Sequence, residues 1–408
     1  LTGPQADRYQ IIDTQVTHKL AQRPASYVVL RYEIPVLKRK ADQTLMRPPM
    51  PDAVFDNSIA DISVLVGLLI DKFLYHLPLY RQHQRLQHAG ITLSRATLTN
   101  WVKRAIELLR PIVEAQLRHI LQSNTLAMDE TPIKAGHAGP GKLKQGYFWP
   151  VYGEDDEIVF TWSTSRGRQH IEQTLKTQFQ GTLLSDGYAA YARYVDKTQG
   201  VTHAQCWVHT RRHFTNAQDS DPPAVAEILD RIGRLYQIET QIQQQGLQGN
   251  KKRDDRLEHS KAVVDGIFDW SQDQCQRGDL TPKHPLAKAL NYLRSREMEL
   301  RVFLEDPEVP LDTNHLERQI RPIPLGKKNW LFCWTEIGAE HVGLIQSLIS
   351  TCKLHGINVH TYLVDVLQRV SVHPASRIEE LTPRVWKEKF SDNPMRSVLD
   401  RKVNYVPE

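Results

Sequence analysis

The spacing of apolar residues divides the chain into helical and strand-rich parts. From about residue 58 to 120, apolar residues recur at helical spacing in LLIDKFLYHLPLYRQHQRL and in WVKRAIELLRPIVEAQLRHIL. Gly90 separates these two runs, and Ser94 is placed to cap the second helix. Upstream, SYVVLRYEIPVL (26–37) predicts an extended segment, and the prolines of RPPMP (47–51) predict a linker.

Short apolar runs in the next part of the chain predict strands. TLAMDETPIK, YFWPVYG and EIVFTWST indicate three antiparallel strands, with a hairpin turn at GEDDE. They are followed by a helix over 170–179, a strand over 181–186, a short helix at AAYARYV and a strand near VTHAQCW. In this order the fourth strand can lie beside the first, which predicts an α/β unit. Residues 211–304 indicate helices without strands, and the proline-containing end from about 374 is expected to be peripheral.

Composition excludes several classes of protein. The 408 residues are 40% hydrophobic and 24% charged, which excludes global disorder. No apolar run is long enough for a transmembrane helix, and the start at Leu1 has no charged-then-apolar leader, so neither a membrane span nor a signal peptide is expected. The net charge of +5 favours a polyanionic partner only weakly. Four widely spaced cysteines disfavour a disulfide scaffold and favour a reducing compartment: Cys206, Cys275, Cys333 and Cys352.

Carboxylates at two strand ends are candidates for metal-dependent chemistry. Asp129 ends the first predicted strand of the α/β unit, and Asp186 ends the fourth. If these strands are neighbours, both carboxylates emerge at one end of the sheet, where oxygen ligands suit Mg²⁺ and phosphoryl transfer. A third acid is expected, with Glu317 in TNHLERQIRP as the main candidate and Asp312 as its rival. The alternative is that these residues only form turns and cap helices.

Five ordered motifs give the chain a family resemblance. AMDETPIK, SRGRQHIEQTL, LLSDGYAAY, CWVHTRRHF and NHLERQIRPIPLGKKNWLFCWTEIGAEH closely resemble the transposases of insertion-sequence-66-type (IS66 family) elements. With the flanking segments, the resemblance covers roughly residues 55–370. It implies a DDE-type transposase whose acidic triad is Asp129, Asp186 and Glu317. Its cofactor would be Mg²⁺, which Mn²⁺ can replace, and its reaction would be strand cleavage at the element ends and strand transfer into target DNA.

The resemblance also implies the fold class, which is α/β. A ribonuclease-H-like catalytic core is interrupted by an all-α insertion and preceded by an N-terminal helical region. Relatives often carry a Cys-rich zinc-binding segment before the core, but residues 1–60 contain no cysteine, so zinc is not expected. The expected segments are a decayed or truncated remnant of that region (1–50), a helix-turn-helix-like DNA-binding region (51–122), the core (123–214 and 306–350), the insertion (215–305) and a C-terminal helical region (351–408).

The CWVH motif has a spacing that is also found in zinc sites. Cys206 and His209 offer only two ligands, however, and His213 would supply at most a third where structural zinc needs four. Similar C-x₂-H pairs recur after the second Asp in several groups of DDE transposases, and this resemblance implies that Cys206 and His209 support the site. A zinc site and a direct role in catalysis or DNA contact are the alternatives.

Basic residues near these motifs predict DNA contacts, because Lys and Arg neutralise phosphates and aromatic faces stack on unpaired bases. The alternatives are an ion pair between Arg321 and Glu317 and a core position for Trp330. Arg166 and Arg168 are interpreted as part of a solvated turn, with phosphate contact as the alternative. RQHQRLQHAG and SRATLTNWVKR predict a helix-turn-helix, although such helix pairs also serve packing alone. The predicted DNA-binding residues are Arg95, Asn100, Lys103 and Arg104 in that pair, and Arg211, Arg212, Arg318, Arg321, Lys327, Lys328 and Trp330 near the acidic residues.

These patterns together favour a DNA transposase of the bacterial cytoplasm, with element ends and target DNA as partners. Assembly as a homo-oligomer and accessory proteins of the same element are further expectations.

Two other functions stay open: a non-catalytic DNA-binding remnant of a mobile element, and a structure-selective ribonuclease-H-like nuclease. Metal-dependent nicking of DNA would distinguish a transposase from the non-catalytic remnant. The formation of joined DNA products would distinguish it from the nuclease.

Overall fold

The computed structural model describes residues 9–23, 26–49, 53–56, 58–176, 179–333 and 335–400. They form two compact units, one of the described residues up to 115, 328–331 and from 344 onwards, the other of 116–327 and 332–343. The fold is mixed α/β, as the sequence predicts. Among the described helices, none combines the length and the apolar character that crossing a membrane requires.

The first unit begins with an antiparallel sheet. Its strands are β1 (Tyr9–Arg23), β2 (Ser26–Arg39) and β3 (Leu45–Met46). β2 is the extended segment predicted over 26–37, whereas the sequence did not reveal β1. The apolar side chains of Ile11 and Val16 are largely exposed, so β1 lacks the alternation of buried and exposed positions by which strands are recognised. The predicted linker at 47–51 lies partly outside the described residues.

Three helices follow, α1 (Ile62–Phe73), α2 (Leu79–His88) and α3 (Arg95–Ile120). The second predicted run is α3, whereas the first is divided between α1 and α2 by residues 74–78. α1 begins at Asp61, whose carboxylate accepts a hydrogen bond from the Ser63 amide at 2.9 Å. Gly90, between α2 and α3, has a φ of +78°, which glycine adopts without steric cost. Ser94 caps α3 as predicted, because its hydroxyl oxygen accepts from the Thr97 amide at 3.0 Å.

The second unit is built on a six-stranded sheet. Its strands are β4 (Thr125–Met128), β5 (Thr131–Gly139), β6 (Lys142–Tyr152), β7 (Ile158–Ser163), β8 (Gly181–Ser185) and β9 (Val201–Gln205). β4 and β5 lie along one edge of β6 in a single register, with Met128 opposite Val151 and Thr131 opposite Phe148. They are therefore two halves of one strand, interrupted at residues 129–130. β7 is antiparallel to β6, while β8 is parallel to β4 and β9 to β8, so the fourth predicted strand does lie beside the first.

Helices α4 (Arg168–Leu175), α5 (Ala189–Val195) and α6 (Trp207–Thr215) flank these strands. α4 is shorter than predicted, since Lys176 ends it with a φ of +53°, and residues 177–178 lie outside the described part. The run predicted to be helical over 211–304 is described throughout and contains no strand. It comprises α7 (Pro222–Gln244), α8 (Gly249–Asp255), a π-helical turn (Arg256–Ser260), α9 (Lys261–Cys275), α10 (Pro285–Arg294) and α11 (Glu297–Glu305). α12 (Asn314–Ile320) and α13 (Pro322–Trp330) follow.

Arg256, in the π-helical turn, connects this helical run to the segment that leads into α12. Its side chain is fully buried and forms a two-pronged ion pair with Glu239, with both distances at 2.8 Å. The same guanidinium donates to the carbonyl oxygens of Phe303, Asp306 and Val309, at 2.7 to 3.1 Å. One side chain therefore satisfies the backbone acceptors at the end of α11.

We expect Arg256→Met to lower the free energy of unfolding by roughly 3 kcal/mol, because the change leaves the Glu239 carboxylate largely buried without its partner. Denaturant unfolding followed by circular dichroism measures the loss. Arg234→Met is the matched control, since Arg234 makes an exposed ion pair that contributes little. Equal midpoints for the two variants would contradict this role of Arg256.

The chain then returns to the first unit through α14 (Glu336–Leu354), α15 (Val359–Arg369) and α16 (Pro383–Phe390). The expectation of a peripheral C-terminal end is wrong. Trp386 is 2% exposed, packs edge-on against Tyr362 and donates to the buried carboxylate of Asp365 at 3.0 Å. The prolines were misleading because Pro383 occupies the start of a helix, where it is well tolerated.

Candidate active site

Two aspartates follow neighbouring parallel strands at the same edge of the second unit's sheet. Asp129 comes directly after β4 and Asp186 directly after β8, and these strands pair through Ala127 and Leu184. One carboxylate oxygen from each of Asp129, Glu130 and Asp186 can be chosen so that all three lie within 4.8 Å of one another. These three residues form the acidic cluster, which lines a cleft of about 420 Å³.

Glu130 is the member of the acidic cluster that sequence reasoning missed. Adjacent residues of a regular strand point to opposite faces, so Asp129 and Glu130 would not share a site in an unbroken strand. The pairing with β6 is interrupted at these two residues, and their carboxylates reach the same cluster. The one available signal was its place beside Asp129 in MDET.

Two side chains hold Glu130 in position. Arg166 forms an ion pair with its carboxylate, and the buried hydroxyl of Tyr191 donates to it at 2.9 Å. Arg166 lies in an exposed turn after β7, as predicted, and its long side chain also reaches the Glu130 carboxylate, which the sequence did not reveal. Arg168 pairs instead with Glu172, four residues later on α4.

Burial, and after it the repulsion between like charges, sets the electrostatics of the acidic cluster. Burial, followed by the charges of Asp186 and Glu130, raises the pKa of Asp129 to about 8. Burial and Asp186 also raise the pKa of Glu130, against the opposing effect of Arg166. Carboxylate oxygens that repel one another at this spacing suit a hard divalent cation such as Mg²⁺. Asp129, Glu130 and Asp186 are thus chemically suited to hold one.

The raised pKa of Asp129 predicts a pH-dependent stability of the metal-free protein. The ordinary value is 3.8, so between about pH 4 and pH 8 the folded state binds more protons and the free energy of unfolding falls as pH rises. Asp129→Asn removes the titrating charge and should raise the melting temperature in EDTA at pH 8 by about 3 °C, and by less at pH 5. Thermal unfolding beside the exposed control Asp196→Asn tests this, and equal melting temperatures at pH 8 would contradict it.

α12 carries Glu317 to the same cleft. Leu316 and Ile320 are buried on one face of this helix, which packs against β6, as their spacing predicts. Glu317 lines the cleft with the acidic cluster. Asp312, the rival third acid, instead accepts a hydrogen bond from the Asn314 amide at 2.8 Å at the start of α12.

The side chain of Glu317 is 31% exposed, and its carboxylate has two neighbours on α6, an imidazole and a guanidinium. It lies 3.6 Å from Nε2 of His209 and 3.7 Å from the guanidinium of Arg212. Among the described side chains, these are its close partners, rather than Arg321. Its charge contributes to the raised pKa of Asp129, although the tightest group of oxygens is formed by the acidic cluster without it.

Both polar residues of the CWVH motif act on the part of the chain that bears Glu317. Cys206 is buried, and its Sγ accepts hydrogen bonds from the amide and the hydroxyl of Thr313, at 3.3 and 3.4 Å. Thr313 directly precedes α12, so this contact fixes the start of the helix. Burial lowers the pKa of His209, which keeps the ring neutral at pH 7. Its Nδ1 is buried and has no hydrogen-bond partner among the described residues.

The basic residues predicted near the site occupy different positions. Arg212 and Arg321 line the cleft beside the acidic cluster. Lys327 donates to the carbonyl oxygen of Pro132 in β5 at 3.3 Å, at the same sheet edge. Of the others, Arg211 and Arg318 are exposed and are not among the described residues that line the cleft, while Lys328 is exposed and Trp330 half-buried near the end of α13.

The first unit presents the other predicted DNA-binding face on α3. Arg95, Asn100, Lys103 and Arg104 are exposed, whereas Leu98, Trp101 and Val102 are buried on the opposite side of the helix. The guanidinium of Arg104 lies 4.1 Å from the centre of the Phe55 ring. This contact orients Arg104 beside Lys103 at a pocket of about 470 Å³. Contact of this face with DNA stays a prediction.

Comparison with known proteins gives two family matches and several relatives. A family model described as the IS66 family of transposases matches residues 57–341, and a model of the IS66 C-terminal element matches residues 347–384. The relatives include three proteins of Sinorhizobium fredii that are described only as uncharacterized: y4hP, 28% identical over 93% of this chain and 72% of its own length; y4jD, 29% identical over 86% and 70%; and y4qI, 27% identical over 83% and 65%.

Proposed function

Because this chain belongs to the IS66 family of transposases, we propose that it cleaves DNA strands at the ends of an insertion sequence and joins them to target DNA. The observation that carries the proposal is the acidic cluster at the carboxyl ends of two parallel strands, in a cleft that also holds Glu317 and three arginines. Such a cleft attracts a divalent cation and a phosphate together.

We further propose a ribonuclease-H-like core over 123–214 and 306–350, with residues 215–305 as an all-α insertion. The strand order β7–β6–(β4, β5)–β8–β9 supports this, with three antiparallel strands followed by two that run parallel to the first. Residues 51–122 would form the DNA-binding region, and 351–408 the C-terminal helical region. The sheet of β1 to β3 falls within the proposed N-terminal segment, 1–50.

In the proposed reaction the cleft residues bind the metal, neutralise phosphate charge or hold another side chain in place. Asp129, Asp186 and Glu317 would hold the metal, with Glu130 beside them. Bound Mg²⁺, or Mn²⁺ in its place, would supply a Lewis acid at the scissile phosphate. Arg212 and Arg321 neutralise phosphate charge at the rim of the cleft. Arg166 holds the Glu130 carboxylate in a fixed orientation through their ion pair.

The element ends and target DNA are the proposed partners, and we propose that a homo-oligomer brings two ends together, with accessory proteins of the same element as further partners.

α2 and α3 would bind DNA through the exposed face of α3. Lys103→Ala should weaken binding several-fold and lower the slope of log affinity against log salt by about one, because one phosphate contact is lost. Fluorescence anisotropy at several salt concentrations measures both. Arg118→Ala, exposed at the far end of the same helix, is the control, and an equal slope change there would contradict the proposed face.

The direct test of the function uses duplexes that end in the terminal repeats flanking the reading frame, with a target plasmid and Mg²⁺. We expect nicked ends and products in which these ends are joined to the plasmid. Nicked products without joining would favour a structure-selective nuclease. Specific binding with neither product would favour a non-catalytic remnant. Either result would overturn the proposal.

A further inference from the structure

The turn that follows Asp186 is covered by residues of the helical run at 215–305. Tyr292 on α10 and Arg296, between α10 and α11, lie directly over Gly187. Arg296 donates through Nη2 to the carbonyl oxygen of Gly187 at 3.1 Å and through Nη1 to that of Tyr292, also at 3.1 Å. One guanidinium therefore connects the helical run to the residue next to Asp186.

Tyr292 is held between two side chains. The ring of His213, on α6, is stacked on it with 3.8 Å between the ring centres, and the guanidinium of Arg296 lies 3.9 Å from its centre. We call His213, Tyr292 and Arg296 the stacked triplet. Because both faces of the tyrosine are occupied, it cannot stack on a DNA base. Its position instead limits the size of the residue that can occupy the turn beneath it.

Gly187 is the residue that fits. A Cβ atom added there would overlap the hydroxyl of Tyr292 and lie 2.8 Å from Nε of Arg296. The tyrosine cannot easily move aside, because the stacked triplet fixes its ring. The turn and the triplet are thus complementary in shape, and the same turn orients Asp186, whose carboxylate accepts from the Tyr188 amide at 2.9 Å.

We propose that Tyr292 and Arg296 are positioning residues that fix the turn after Asp186 and thereby the orientation of its carboxylate toward a divalent cation. The inference rests on the proposed function, since it deepens the role of the same cleft. The helical run then completes the metal site and is not a passive spacer between the two parts of the core. Residues that orient metal ligands from outside the ligand set typically change metal affinity by 10- to 100-fold when replaced.

The test is a compensation experiment on purified full-length protein. Gly187→Ala is expected to weaken Mn²⁺ binding by about 30-fold, because the methyl group displaces the turn. Tyr292→Ala alone removes one of the two side chains that cover the turn and is expected to weaken Mn²⁺ binding by about fivefold. In the double variant the smaller side chain makes room for the methyl group, so affinity should return to the level of Tyr292→Ala.

Mn²⁺ binding is measured without DNA, by the electron paramagnetic resonance of the free ion, and melting temperatures show that each variant is folded. Lys288→Met, an exposed change on α10, is the control and should bind Mn²⁺ as the wild type does. If Gly187→Ala does not fold, Arg296→Met and Arg296→Lys replace it, and both should weaken Mn²⁺ binding about tenfold, because neither side chain can reach the two carbonyl oxygens together.

A double variant that binds Mn²⁺ as weakly as Gly187→Ala would overturn the proposal, as would unchanged Mn²⁺ affinity in the Arg296 variants. These outcomes are separate from a failure of the proposed function. A wild type that binds Mn²⁺ but never cuts element ends would contradict the function alone, while the compensation would still test the positioning role.

Discussion

Asp129→Asn and Asp186→Asn are each expected to lower strand cleavage by at least about 10³-fold, a loss of about 4 kcal/mol of transition-state stabilisation. Both changes keep the size of the side chain and remove the negative charge that binds the cation. Affinity for element-end DNA should stay within about twofold, because neither carboxylate carries a phosphate contact. Removing a negative charge from an acidic cleft reduces its repulsion of the DNA backbone, so the change does not weaken DNA binding.

Cleavage is measured by single-turnover gel assays and affinity by anisotropy on the same duplex in Ca²⁺. Asp196→Asn, an exposed change just after α5, should be as active as the wild type. Parallel losses of binding and cleavage in the two cluster variants would show that they damage the fold or the DNA surface instead. Full activity of either variant would exclude that aspartate from the metal site.

The sequence was sufficient to predict the position of these two aspartates. The strands before Asp129 and Asp186 are short, apolar and bounded by polar residues, and the order of elements allows them to lie side by side. Parallel neighbours present their carboxyl ends at one edge, so the two carboxylates had to be close. The prediction needed only local periodicity and one rule of topology.

The remainder of the cleft depends on contacts that no local pattern encodes. Glu130 reaches the cluster through its contacts with Arg166 and Tyr191, whereas alternation along a strand predicts that it and Asp129 point to opposite faces. Arg166 reaches the cluster through a long side chain whose direction the sequence does not specify. The thiol of Cys206 meets Thr313 across more than a hundred residues of sequence, which includes the whole helical run.

Outside the cleft, two segments escaped prediction for opposite reasons. β1 exposes apolar side chains such as Ile11, and its buried residues at 19–21 are consecutive and do not alternate with exposed ones, so periodicity does not detect it. The prolines around Trp386 predict a peripheral segment, whereas Leu381 and Trp386 are buried and Trp386 packs on Tyr362 of α15. In both segments, burial depends on the residues of other elements that pack against the segment, and the composition of the segment does not reveal these contacts.

Glu317→Gln is expected to lower cleavage by at least about 100-fold in a protein that still folds and binds DNA, a loss of about 2.7 kcal/mol of transition-state stabilisation. The carboxylate stands in the cleft on a helix anchored by two buried side chains, Leu316 and Ile320, so the helix should keep its place in the variant. Glu317→Asp should recover little activity. Shortening the side chain by one methylene withdraws the oxygens by more than ~1 Å, which Mg²⁺ geometry tolerates poorly.

The competing interpretation is that Glu317 only pairs with His209 and Arg212, a partly exposed arrangement worth at most about 1 kcal/mol. In that case Arg212→Ala and Glu317→Gln would have similar effects, since each removes one side of the same pair. If Glu317 binds metal, Arg212→Ala should weaken DNA binding and leave the Mn²⁺ concentration needed for half-maximal cleavage unchanged. Glu317→Gln should raise that concentration. Asp312→Asn and the exposed variant Glu258→Gln are the controls. Loss of cleavage in Asp312→Asn with an active Glu317→Gln would transfer the role of third acid to Asp312.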